Sequence, residues 1–461
     1  VSGRNVRLAG SSYVIRTLEL SGRGTLERLP FTLVTDVGGA TPVAFDGSGV
    51  YSRQGEAQTV TLSGDGRIRE IAFSTRNPAV IAIAGDGRVA RLDLTVGGGV
   101  LLGEVRQDSD AAVVQADLTS VDLGSIAPDL RGSVTGRLSL RGAGDDLSGS
   151  ANVRLTGLRS TDAPRGLTVD GGLTATLVNN TLRLQANASA TNAVNATADV
   201  TLPVEASAAP LRLAIARTLP MSGEVDIDGQ IQPIWDVFFG GERSLAGQVN
   251  ASATLGGTLA APLINGSLAL AQGQFRDNSS GLTLDDMVLA ARFDDTTALI
   301  QTFTATDSSG GTVSGDGRIG LREGSGSNFE LALTRFRIID NDIAVARASG
   351  PLTVVRATDG NVTLSGEVNV DQARIEANPP GSSGIVRMDV VEVNRPGGDP
   401  VEEDAVTASR GPQIGLDIRL LSRGGEVRVE GRGLNVLLNV NARVQGTVSQ
   451  PQLSGTASIV R

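Results

Sequence analysis

Apolar and polar residues alternate with a period of two near the carboxyl end, in Leu434-Asn435-Val436-Leu437-Leu438-Asn439-Val440-Asn441-Ala442-Arg443-Val444-Gln445. In a β-strand successive side chains point to opposite faces. Leu434, Val436, Leu438, Val440, Ala442 and Val444 therefore share one face. Asn435, Asn439, Asn441, Arg443 and Gln445 share the other, with Leu437 as the exception. The same alternation returns in Leu182/Leu184/Ala186/Ala188/Ala190, in Val194/Ala196/Ala198/Val200/Leu202 and in Ile414/Leu416/Ile418/Leu420. A chain built from such strands carries one long apolar face. Whatever covers that face decides the function.

Strand-like runs and turn signals follow each other every ~8–12 residues, which predicts an all-β fold. Helical signals are few: Ile231–Phe239 suits one or two turns or an apolar plug, and Val121–Pro128 is a weaker counterpart. One small unit, Gly-Asp-Gly-Arg, occurs within Ser63–Ile68, Ala84–Val89 and Ser314–Ile319. Asp-Gly between alternating segments predicts a hairpin turn at each, because Gly accepts positive φ. A longer unit also repeats. Val249–Leu255, Gly257-Thr258, Pro262 and Gly266-Ser267 return as Leu438–Val444, Gly446-Thr447, Pro451 and Gly455-Thr456. Breaks near Pro128 and Pro233–Gly241, and the proline-rich, acidic stretch Asn378–Pro412, divide the chain into 1–128, 129–240, 241–377, 378–413 and 414–461. The segment 378–413 reads as a mobile insertion with one embedded strand, Ile385–Val393.

Composition narrows the chemistry. Among 461 residues Gly numbers 59 and aromatics make up 3 %, so the usual anchors of a large globular core are scarce. The high Gly content reads as turns and bulges between short strands. The net charge of −10 disfavours nucleic acid or an anionic surface as partner. Cys and His are both absent, which rules out disulfides, thiolate or imidazole metal sites and a Ser–His–Asp triad within this chain. A non-enzymatic protein without cofactor or metal is expected. Gly315–Gly320 matches G-x-G-x-x-G, but the alternating strand that follows it favours a turn over a dinucleotide site. Asp145-Asp146, Asp285-Asp286 and Asp294-Asp295 read as solvated loop charges. No run approaches 18 apolar residues, and the chain reads as a soluble segment excised from a longer protein.

Gly431-Arg432-Gly433-Leu434, the alternating strand, Gly446-Thr447, Pro451–Thr456 and Ile459–Arg461 resemble the C-terminal domain of the TamB family, inner-membrane components of the translocation and assembly module in the AsmA-like clan. Leu245–Phe275 and Gly281–Leu289 are similar to the same family. The resemblance implies a bridge-like lipid-transfer architecture: an elongated, curled β-sheet, open as a trough, apolar on its concave face and polar on its convex face, with few or no helices. It further implies a periplasmic conduit in a Gram-negative bacterium, carrying phospholipid acyl chains between inner and outer membrane and supporting outer-membrane protein assembly. The expected partner is an outer-membrane barrel assembly protein of the Omp85 type, TamA-like or BamA-like, engaged near Leu434–Arg461. An inner-membrane anchor is expected outside this chain. The candidate groove residues are Leu182, Leu184, Val249, Leu255, Leu268 and Leu270, then Leu416, Ile418, Leu420, Val427 and Val429. Leu434, Val436, Leu438, Val440 and Val444 complete the set. The alternative is a structural or adhesive β-solenoid whose apolar faces close on themselves into a dry core.

Overall fold

The period-two pattern becomes strand almost everywhere. The computed structural model describes residues 2–7, 13–39, 41–162, 167–191, 193–278, 281–322, 324–340, 344–377, 414–422, 427–431, 433–448 and 450–460. They contain 29 β-strands, the helix Gln232–Phe239 and the 3-10 turn Leu123–Ser125. The fold is all-β, in curled sheet that is not closed into a barrel. Two compact units divide the chain, Val1–Ser267 and Leu268–Arg461. The expected insertion 378–413, with its strand Ile385–Val393, lies outside the described residues.

In the first unit antiparallel pairing links strand to sequential strand with few departures, for example Val14–Gly22 with Arg28–Gly38 and Thr181–Ala190 with Val194–Ala208. In the second, antiparallel neighbours run from Leu282–Asp294 to Val362–Glu376. The direction then changes. Val362–Glu376 pairs in parallel with Ile414–Leu421 and Val427–Gly431, and both of these pair antiparallel with Leu434–Thr447. Parallel register sets Glu376 and Ile414 at opposite ends of the paired strands, about 46 Å apart at ~3.3 Å per residue. Residues 378–413 must span that distance, as a parallel pair always requires of its connection.

The glycine units depart from expectation. Only Gly85-Asp86 is a hairpin turn, with Gly85 at φ +55°. Ser63–Ile68 lies inside the strand Ala57–Ile68, and Ser314–Ile319 inside Thr312–Gly320. Phenylalanine is the reason. Gly66 pairs with both Phe45 and Phe73, and Gly317 pairs with Phe329. A Cβ on Gly66 would stand 2.5 Å from the Phe73 ring, and one on Gly317 would stand 2.7 Å from Phe329 and 2.4 Å from the Asn328 carbonyl. These glycines make room for cross-strand rings, so strands run longer than the turn signals suggest, up to the 17 residues of Ala261–Asp277. Asp285-Asp286 likewise sits within a strand, Leu282–Asp294, at a register shift.

Bulges preserve the faces. Register shifts fall between Leu118 and Val121, between Leu155 and Leu158, and between Leu333 and Phe336. Each inserts one extra residue, so the apolar side resumes three positions on instead of two. Ser120, Gly157 and Arg335 carry the positive φ, at 51°, 64° and 50°. Their amides leave the ladder and find side chains on the next strand: Ser120 N donates to Thr135 Oγ1, Gly157 N to Asp170 Oδ1 and Arg335 N to Ser349 Oγ. Each of these three amides thus keeps a partner.

Asp307, 4 % exposed, anchors a turn of the second unit. It accepts from the amides of Ser309 (2.7 Å), Gly311 (2.9 Å) and Arg337 (2.6 Å). Burial pushes its carboxyl up, but those amides and the Arg337 charge outweigh burial and hold it below the ordinary carboxylate value.

Three outcomes are expected. Gly317→Val should destabilise by about 1–3 kcal/mol through overpacking against Phe329, whereas Gly85→Asn should stay within about 0.5 kcal/mol because Asn tolerates left-handed φ; denaturant titration compares them. Because the folded pKa of Asp307 lies below its unfolded value near 4, its contribution is complete above that pH and disappears as pH falls through the folded value. Asp307→Asn should therefore lower Tm at pH 7 and flatten the loss of Tm on acidification, read by thermal melts from pH 7 to pH 2. Deleting Pro396–Asp404 leaves enough chain to cross about 46 Å and should not move Tm, whereas deleting all but about ten residues of 378–413 should abolish the parallel pairing and lower Tm sharply.

Candidate functional site

Residues paired across a ladder project from the same face. In the second unit one such line runs Leu289–Phe303–Gly315–Leu331–Leu352–Gly366–Ile418–Val444–Leu453, each joined to the next by register. It holds no polar side chain. In the first unit a line runs Leu92–Gly103–Ala116–Leu138–Ala151–Ala175–Leu184–Val200–Gly223–Leu255. It too is wholly apolar.

These faces are the inner sides of curled sheet. In the first unit Val194–Ala208 reaches across to strands Ala111–Asp122, Leu130–Ala143 and Asp146–Ser160, none of them its ladder neighbour. In the second, Leu282–Asp294 touches Ser327–Asp340 across two intervening strands. Burial of the inner faces is partial. Ala112, Leu147 and Leu177 are buried at one end of the strands in the first unit, and Val169, Ala190 and Val194 at the other. Between those ends Leu92 is 42 % exposed and Leu173 38 %.

The helix Gln232–Phe239 covers one of these ends. Ile234 and Val237 pack on Val169, Ala190 and Val194. Trp235 and Phe239 lie 4.8 Å apart on its other side, with Phe238 and Phe239 mostly exposed. Asp236 is buried, and desolvation pushes its carboxyl up.

The outer faces are polar. Arg443 binds Asp417 through Nε (2.6 Å) and Nη2 (2.7 Å), and Arg183 binds Asp199 through Nε at 2.9 Å. The Arg443 hydrogen bond holds the Asp417 carboxyl below the usual range, and Arg183 acts likewise on Asp199. Such exposed pairs contribute little to stability but keep this side wet. Among the described residues no cluster of three or more acids could hold a metal ion, and no helix is long and apolar enough to cross a membrane.

The sequence-derived candidates fall on the inner faces. Leu182 lies between Leu177 and Leu202, and Leu184 and Leu255 belong to the line above. Val249 pairs with Gly229, beside Val194. Leu268 and Leu270 occupy one side of Ala261–Asp277. Leu416, Ile418 and Leu420 pair with Gly446, Val444 and Ala442, while Val427 and Val429 pair with Leu438 and Val436. Val440 pairs with Ala457, and Leu434 with Gly431. Val427, Leu438 and Val440 pack into a cluster with Ala346, Val370 and Ala373, and Val249 and Leu270 are buried as well. Sequence reasoning passed over Leu92, Leu138, Phe303, Leu331 and Leu352, whose lines are interrupted by glycines. Cross-strand register alone assigns them.

Residues 301–461 match the family model of the TamB C-terminal domain. No curated protein and no solved structure matches the chain. The matched segment contains the motifs from Gly431 to the end on which the resemblance rests, whereas Leu245–Phe275 and Gly281–Leu289 lie outside it. Residues 301–461 are thus similar to the TamB C-terminal domain.

Proposed function

We propose that this protein is a non-enzymatic conduit for lipid, whose acyl chains lie along the apolar inner face. The observation that carries the reading is that lines of apolar side chains extend over many consecutive strands with no second layer among the described residues covering their middle. An acyl chain supplies that cover at ~0.8 kcal/mol per buried methylene, or about 10 kcal/mol for a dozen. The TamB domain supports a role in outer-membrane biogenesis. With that role we place the conduit in the periplasm, moving phospholipid between the two membranes with an Omp85-type barrel assembly protein as partner.

The test exploits the two faces. Leu173→Asp puts a charge where acyl chains would lie, at a desolvation cost of several kcal/mol, yet Leu173 is exposed enough for the fold to survive. Thr176, three residues on, is exposed on the outer face. Leu173→Asp should reduce lipid co-purifying with the protein, measured by native mass spectrometry, at least fivefold, and Thr176→Asp should leave it unchanged. Equal loss from both would defeat the two-face reading. Recovery of no lipid from the unaltered protein would favour the dry solenoid.

A further inference from the structure

Val194–Ala208 has two halves with different partners. Residues 194–201 sit in the ladder between Thr181–Ala190 and Ser222–Gln230. Residues 204–208 leave it and pair only with Leu211–Ile215, forming a hairpin. That hairpin is tied down across the ends of neighbouring strands. Val204 N donates to Asn180 O, Ala206 N to Asn180 Oδ1, and both Ala208 N and Ala209 N to Gly144 O. Its underside buries Val204, Ala206 and Ala208 against Ala112, Leu147 and Leu177 on the inner face. Its upper side is polar, with Arg212 Nη2 bonded to Glu205 Oε2 at 2.7 Å and Ser207 Oγ to Pro210 O at 2.6 Å.

The second strand of the hairpin is the unexplained part. Register places Leu211, Leu213 and Ile215 opposite Ala208, Ala206 and Val204, on the same underside. Ala208 is fully buried, yet Leu211, Leu213 and Ile215 are 40 %, 49 % and 47 % exposed. Five consecutive residues thus leave all three large apolar side chains nearly half exposed among the described residues, while Arg212 between them faces the other way. The side that seats the first strand is continuous with the apolar inner face.

We infer that the hairpin 204–215 is a strap over the inner face, whose second strand clamps an acyl chain of a bound lipid against the sheet. The inference rests on the lipid-conduit reading and adds a roofed station to it. One strand fastens the strap and the other meets the cargo.

The absence of cysteine makes the test clean. Leu213→Cys, Arg212→Cys and, on the floor, Leu184→Cys would each be labelled with a benzophenone maleimide. Each is then illuminated with vesicles of phosphatidylethanolamine carrying alkyne-tagged acyl chains. The strap predicts lipid adducts at position 213 at least fivefold above position 212, together with adducts at 184. Adducts at 184 with no excess at 213 over 212 would overturn the strap and leave the conduit standing. Adducts at neither 184 nor 213 would overturn both. Replacing Leu211, Leu213 and Ile215 by Ser should speed release of bound lipid at least fivefold with unchanged circular dichroism, because the seated strand is untouched. Unchanged release from that folded variant would also overturn the clamp.

Discussion

Cross-strand register is the constraint on which the rest depends. With a side-chain period of two, a slip of one residue would move every apolar side chain of a strand to the polar face. The lines from Leu92 to Leu255 and from Leu289 to Leu453 exist only because every pairing along them holds parity. Bulges at Ser120, Gly157 and Arg335 each add a residue and would break parity, were the apolar residue not displaced by one as well. Thr135, Asp170 and Ser349 capture the amides that these bulges release, which fixes each bulge in place.

A sheet with one apolar face and no opposing layer among the described residues must find its cohesion elsewhere. Rings over glycines supply part of it: Phe73 over Gly66 and Phe329 over Gly317 cover bare backbone on the inner side. The ends of the strands supply another part. There the hairpin 204–215 and the helix Gln232–Phe239 fold over the inner face of the first unit and bury Leu177 and Val169 beneath them. The middle rows are left half-open, and that is where an apolar guest has most to gain.

The proposed conduit rests on the same arrangement. What the described residues gather along a line is apolar surface. A site spread over dozens of residues has no single residue whose loss abolishes it. Charge placed on the inner face is the sensitive perturbation, and charge placed on the outer face, already laced with pairs such as Arg443–Asp417, is not.

Alternation in Leu434–Val444, Leu182–Ala190 and Ile414–Leu420 settled the all-β fold and the inner-face residues of those strands, because side-chain parity is a local property of extended backbone. Motifs from Gly431 onward pointed to the domain whose family model matches residues 301–461. Tertiary structure decided the rest. A Gly-Asp-Gly unit is a turn at Gly85 and strand interior at Gly66 and Gly317, and only the phenylalanine across the ladder distinguishes them. Parallel pairing of Val362–Glu376 with Ile414–Leu421 has no signature in either strand, since direction is set by where the chain returns. The departure of the hairpin 204–215 from the ladder depends on backbone bonds to Asn180 and Gly144, 24 and 60 residues before Val204. Local pattern fixes which way a side chain points, and only the assembled sheet fixes what it meets.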